Sequence, residues 1–472
     1  MESARPFRTQ AARTPIQGDR IGEALVVLLV LLCIMWPAEL PIVMFLHGVV
    51  RPVVGEAYLL VAHGALLTFV SLAALAVRGA RLPHGSGDWR WWAASCVGYL
   101  TVGIAPLAVS AITGVDTQIT YQEFVFGYIA PVAFIAAALS LSARDQQRLW
   151  TAFYLGWVAF LAGSVVMLGI AWRAANDSLP GFASAPFAQQ VIMWRFTLGE
   201  PWNLYGVTMG NANKLSNNLV MFLLMSRSLL TLEGPSRGRR RILLCFWALA
   251  VVTLIVMFSR AAMLLLPLVI AASGVIGELS GASRRLVLVT ACCSIAAVAV
   301  TAPEIFDYLF AAKYLPQADA DPLGTLGDRF AQWSQLLDFF SEHAKESIIG
   351  LGTSGYGMRF FNSPEPGTHN TFLDLWTQAG IFSPLILLGT IASIGLQVFV
   401  GAKSVRRKTV VAAGLFAIVL LMTREHSFSY LYVTSLGGLC FVVLIYACVA
   451  PDPEAMAGRY GPSAIGGCEE SL

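Results

Sequence analysis

The sequence predicts an all-α polytopic membrane protein with about twelve transmembrane helices. Three observations carry this. Charged residues make up only 12% of the 472, against 57% hydrophobic, and mean hydropathy is +0.68; soluble domains carry about 25% charge. The apolar residues fall into runs near the roughly 20 residues that a bilayer core requires. Runs such as Leu25–Cys33 and Ala262–Ala272 do not alternate polar with apolar. They therefore suit helices rather than the strands of a membrane barrel.

Residues 1–20 form a basic tail with Arg5, Arg8, Arg13 and Arg20. Nine spans follow within 21–303: about 22–48, 56–77, 91–112, 123–143, 150–172, 214–232, 242–258, 261–278 and 286–303. Pro37 and Pro41 break the first, which is kinked or partly re-entrant. A polar loop at 173–213 interrupts this block, and a larger one fills 304–370. Three further spans occupy 371–449, at about 380–402, 409–423 and 428–449, and 450–472 form a tail. The eight cysteines show no metal-ligand spacing, and seven lie in apolar runs, where cysteine packs as a small core residue. Neither a disulfide framework nor a cleavable signal is expected.

Orientation follows from the excess of Lys and Arg in short cytoplasmic loops. With the N-terminus inside and twelve crossings, the inner segments hold 21 of the 31 Lys+Arg and net +10. The outer segments net −7, giving the chain's +3. Both long polar loops then fall outside. The inner loops are too short for a nucleotide site, and no nucleic-acid partner is expected.

The large loop has helical periodicity of its own. Thr325-Leu-Gly-Asp328 opens as a capping box. Phe330, Trp333, Leu336, Leu337 and Phe340 then recur on one face, the pattern of an amphipathic helix lying over the bundle or on the membrane surface. The glycine-rich stretch Gly350–Gly357 reads as a flexible turn. Its Gly350-x-Gly352-x-x-Gly355 lacks the βαβ setting of a dinucleotide site. Asp319-Ala-Asp321 reads as a solvated acidic turn. From Thr371 the pattern is helical again, with a break near Gly380 and Pro384.

Two residues carry the sharpest chemical signal. Arg260 interrupts an apolar run of some 36 residues. An arginine so placed is costly and has a task or a partner; the bland alternative is a snorkelling interfacial residue. His369 stands at the mouth of a span, and an unperturbed imidazole takes up a proton near pH 6.5, about where a general base works. Its bland alternative is a capping or structural histidine at the start of the following helix.

These stretches together resemble the O-antigen ligase and polymerase superfamily of bacterial surface-glycan enzymes. The resemblance rests on Arg195 with Gly210-Asn211-Ala-Asn213, on Phe258-Ser-Arg260, and on Asp328-Arg329 with Trp333. Gly350-x-Gly352, His369-Asn370-Thr-Phe-Leu373 and Gly380-Ile381 complete it, over roughly 190–385. It implies a fold of the GT-C type and a site on the periplasmic face of the bacterial inner membrane. The implied donor is a glycan on undecaprenyl pyrophosphate, and the acceptor a glycan or a lipid A core sugar, with membrane lipid as the surrounding partner. No metal or other cofactor is expected. His369, Arg260 and Arg195 are the expected catalytic residues. Arg329, Asn211, Asn213, Asn370 and Arg359 are expected at the substrate, and Asn370 and Asp374 are expected to orient the imidazole. The rival reading is a twelve-span secondary transporter or flippase, whose site would lie at the bilayer midplane within internal repeats. Pro37–Pro41 with Glu39 favours that rival.

Overall fold

A computed structural model describes residues 20–35, 56–78, 89–114, 124–178, 180–186, 190, 219–220, 222–223, 237–256, 327–353, 359–360, 368, 370–401, 415, 419 and 422. Among these every regular element is helical. In chain order they are α1 (20–35), α2 (Glu56–Arg78), α3 (Trp89–Thr113), a π turn (Val125–Ile129) leading into α4 (Ala130–Ser140), α5 (Ala143–Ser178), α6 (Arg237–Val256), α7 (Gly327–Glu342), α8 (Ala344–Ile349), α9 (Thr371–Ala379) and α10 (Phe382–Gly401).

Among the described residues one helical stretch, Ala93–Thr113 within α3, is long and apolar enough to cross a bilayer. Shorter apolar stretches lie in α2, the π turn with α4, α5, α6 and α10. Much of the predicted set of twelve spans, together with the terminal tails, lies outside the described residues. α5 runs 36 residues, well beyond the predicted 150–172. The extra N-terminal turn comes from a polar cap: the Ser142 hydroxyl donates to Asp145 Oδ2 at 2.9 Å, and Asp145 N–H donates back to Ser142 Oγ at 3.2 Å.

The core is built from small residues where helices cross and from aromatics where they diverge. α3 packs along α10 and α9, and α2 along α4. Gly98 of α3 abuts Thr390 of α10 so closely that a Cβ there would collide with the Thr390 hydroxyl. One turn away, Ser95 and Ser393 face each other with hydroxyls 3.5 Å apart. Close approach through small and hydroxyl residues is how helices associate where surrounding lipid removes the hydrophobic drive. Gly103 similarly seats the Tyr128 ring, and the Tyr99 hydroxyl donates to the Gly127 carbonyl within the π turn at 2.7 Å. A π turn leaves a carbonyl out of the regular ladder, and Tyr99 satisfies one there. Deeper in, Phe134, Phe153, Trp157, Phe160 and Phe222 are fully buried.

The pairing fixes the direction of two helices. Ser95 meets Ser393, while Ser110 of α3 meets the segment beside Gly380. α3 and α10 are therefore antiparallel. Arg90 sits at the end where α10 finishes, and Thr113 at the end where it starts. Pro384 stands in the first turn of α10, where its missing N–H has no intrahelical partner to lose. The helix break falls on Gly380 and Ile381.

Candidate active site

The residues that seat the site belong to α7, α8, α9 and the strap between α8 and α9. α9 begins with a complete cap. Asn370 is extended (φ −146°, ψ 112°), and its side-chain carbonyl accepts from Phe372 N–H at 3.0 Å and Leu373 N–H at 3.2 Å. The cap is thus Asn370; His369 itself lies outside the described residues. The cap also commits the Asn370 side-chain carbonyl to the helix start.

Asp374, one turn into α9, is wholly buried (0% exposed). A buried carboxylate is costly unless hydrogen bonds replace its water. Thr368 supplies two: its N–H at 2.8 Å and its hydroxyl at 2.7 Å, both on Oδ1. A hydroxyl has one proton, and the short charge-assisted bond to the carboxylate takes it. Asn370 N–H donates to the Thr368 oxygen at 3.2 Å, and the Trp333 indole N–H of α7 donates to the Thr368 carbonyl at 2.7 Å. Both chain neighbours of His369 are thereby fastened, one by α7 and the other by the cap of α9. Asp374 acts on the backbone that carries the imidazole. Asp374→Ala is expected to strand the buried Thr368 N–H at a cost of about 1–3 kcal/mol, whereas Asp374→Asn keeps an acceptor and most of the stability. Thermal melting of the two purified variants beside wild type checks this.

α7 rests on α9 through a small apolar cluster. Leu336 and Phe340 are buried, with Phe339, Phe360, Leu373 and Trp376 around them. Phe340 stacks on Trp376 with centroids 4.9 Å apart. The expected amphipathic face is therefore real but narrower than predicted. Trp333, Leu336 and Phe340 turn inward, whereas Leu337 is exposed, because α9 offers a single helix to pack on. The inward face of α7 packs on α9.

The glycine-rich stretch is the clearest departure from expectation. Gly350 and Gly352 adopt φ +93° and +90°, a region that favours glycine. Leu351 N–H donates to the Thr377 carbonyl at 2.6 Å and Gly352 N–H to the Gln378 carbonyl at 3.2 Å. A Cβ on Gly350 would stand 2.6 Å from the Ala379 and Gly380 nitrogens, and one on Gly352 2.9 Å from Ser110 Oγ. The next residue, Thr353, donates its N–H to Ser110 Oγ at 2.8 Å. Residues 350–353 are thus a fixed strap binding the loop to α9 and to the end of α3. From the other side, Ile381 N–H and the Trp376 indole both donate to the Ser347 carbonyl, at 3.0 and 2.9 Å.

The predicted site residues divide sharply. His369, Arg260, Arg195, Asn211 and Asn213 lie outside the described residues, as does the capping box at Thr325. Arg329 falls in the first turn of α7. Arg359 is exposed, with its guanidinium 5.6 Å from the centroid of the Phe339 ring, a cation–π contact. Thr368 and Ser110 were missed by sequence reasoning. Thr368 could have been suspected from its place beside an N-cap asparagine; nothing local marks Ser110.

Residues 244–388 match the family model described as O-antigen ligase. This stretch is similar to the O-antigen ligases. The matched domain runs from α6 through Arg260 and the large loop to His369, α9 and the first turns of α10. It thus contains two of the three expected catalytic residues and the whole Thr368–Asp374 latch, while Arg195, Asn211 and Asn213 precede it. The likeness covers less than half of the chain. No curated protein sequence matches the chain.

Proposed function

We propose that this protein transfers a glycan from undecaprenyl pyrophosphate to an acceptor hydroxyl at the periplasmic face of the bacterial inner membrane, without a metal. The observation that carries the reading is the O-antigen ligase match over a stretch holding both Arg260 and His369. The seat that fastens Thr368 and Asn370 supports it, because a general base must be held in place to act.

In this reading the acceptor oxygen attacks the anomeric carbon, and the bond from that carbon to the pyrophosphate oxygen breaks. The acceptor proton passes to the His369 imidazole. The leaving pyrophosphate gains negative charge, which Arg260 and Arg195 meet with guanidinium groups that remain protonated and bond phosphate oxygens in pairs. Preorganised charge of this kind is often the largest single catalytic contribution. Arg329 assists at the phosphates. Asn211, Asn213, Arg359 and the Asn370 amide contact the glycan. Pyrophosphate is already a good leaving group, so the step needs no Lewis acid.

The test is transfer by the purified protein in lipid vesicles, given a lipid-pyrophosphate glycan and a sugar acceptor in the presence of a chelator. Release of lipid pyrophosphate coupled to acceptor glycosylation is expected; no turnover with any glycan acceptor would overturn the reading. Deletion of the gene then distinguishes acceptors. Surface glycan capped at a single repeat marks a polymerase, and accumulated long lipid-linked chains mark a ligase.

A further inference from the structure

α8 is a helix of six residues, Ala344–Ile349, none of which is buried. So short a helix has little stability of its own in water. It ends in two large apolar side chains turned outward, Ile348 (53% exposed) and Ile349. Its last turn is bonded to the break before α10, through Ser347 O to Ile381 N–H, and Gly380 leaves no room for a Cβ against the Ile348 carbonyl. The two isoleucines therefore begin beside Phe382 (60% exposed), the first residue of α10.

From Phe382 the exposed apolar surface continues down α10 through Leu385, Leu388 and Leu396, while Ser393 and Thr390 of the same helix face α3. In the membrane reading proposed above, on which this inference rests, that outer stripe of α10 faces acyl chains. The backbone of Ile348 lies against Gly380, two residues before that stripe begins. On the other side of α8, Ser341 and Glu342 at the end of α7 are exposed and polar. Lys345, also exposed, stands at the start of α8, where a long cationic side chain reaches headgroups while its stem stays apolar.

We infer that α8 is an interfacial foot, with Ile348 and Ile349 inserted among lipid chains at the bilayer surface beside the start of α10. The foot would fix the height of the site. α9 has nine residues, about 14 Å at 1.5 Å per residue, so its start beside His369 stands no farther than that from the foot. A donor whose pyrophosphate rides at the headgroup level would then meet a base held at constant depth.

The test places a single nitroxide label, by cysteine substitution in a background where the eight native cysteines are alanine, on the full chain in lipid nanodiscs. The labelled positions are Ser341, Ile348, Phe382 and Leu396. Relaxation by oxygen, which concentrates among acyl chains, is compared with relaxation by a water-soluble nickel chelate. The expected oxygen-to-nickel ratio at Ile348 and Phe382 is several-fold above that at Ser341 and below that at Leu396. If Ile348 reads like Ser341 while Leu396 reads as lipid, the foot is wrong and the membrane reading stands. If Ile348 is shielded from both reagents, a protein contact covers it, and the foot is again wrong. If Leu396 is also aqueous, the membrane reading falls with it. Wild-type protein in vesicles carrying a diazirine-acyl lipid gives an answer free of substitutions: peptide mapping should find lipid adducts on 344–349, and adducts on α10 without any on α8 would overturn the proposal.

Discussion

His369→Ala is expected to slow glycan transfer by about 10²–10⁴-fold, the usual contribution of a positioned general base, while leaving the protein folded. Both halves of that expectation come from the same geometry. The helix that follows is capped by Asn370, and the peptide before the histidine is fastened by Asp374 and by the Trp333 indole. None of these bonds uses the imidazole. Removing the ring should therefore leave melting temperature and membrane insertion close to wild type, so that the lost rate reports on chemistry. Turnover of the purified variant in vesicles, with circular-dichroism melting beside it, makes the check. Full turnover would remove the base assignment. Lost turnover with a collapsed melting transition would make the histidine structural.

The largest effect on stability is expected at Gly380. Its φ of +76° costs a residue with a side chain about 1–2 kcal/mol, and crowding in a packed region typically adds about 1–3 kcal/mol. A methyl there would run into the Ile348 carbonyl, which belongs to rigid backbone. Gly380→Ala should therefore lose about 2–5 kcal/mol, a large share of the roughly 5–15 kcal/mol that holds a typical domain. The control is Gly389→Ala in the middle of α10, where nothing stands within 4 Å of the added methyl. There alanine should be neutral or slightly stabilising through helix propensity. Equal melting temperatures for the two variants would show that strap and helix break are not locked together.

The contrast between these glycines also shows what could be read before any coordinates. Apolar runs placed α2, α3 and α10 within a few residues, because burial in an apolar medium leaves a long and simple signature. The break at Gly380 was legible because glycine followed shortly by proline interrupts a helix locally. The overlong α5 was not, since its added turns are polar and resemble a loop. The strap at Gly350–Thr353 was taken for a flexible turn for a different reason. Its partners, Thr377, Gln378 and Ser110, are distant in sequence, and composition says nothing of distant hydrogen bonds. In the site, the expected bonds of Asn370 and Asp374 to the imidazole fall on His369, outside the described residues. Sequence reasoning missed that these two residues hold the chain on either side of it, through Thr368.

The bond between Ser110 and Thr353 joins residues 243 positions apart. Contacts that span so much chain form late, because the whole intervening segment must first be placed. A ribosome delivers α3 long before residue 353 exists. The strap thus cannot tie α3 to α9 until the chain through Gln378 has been made.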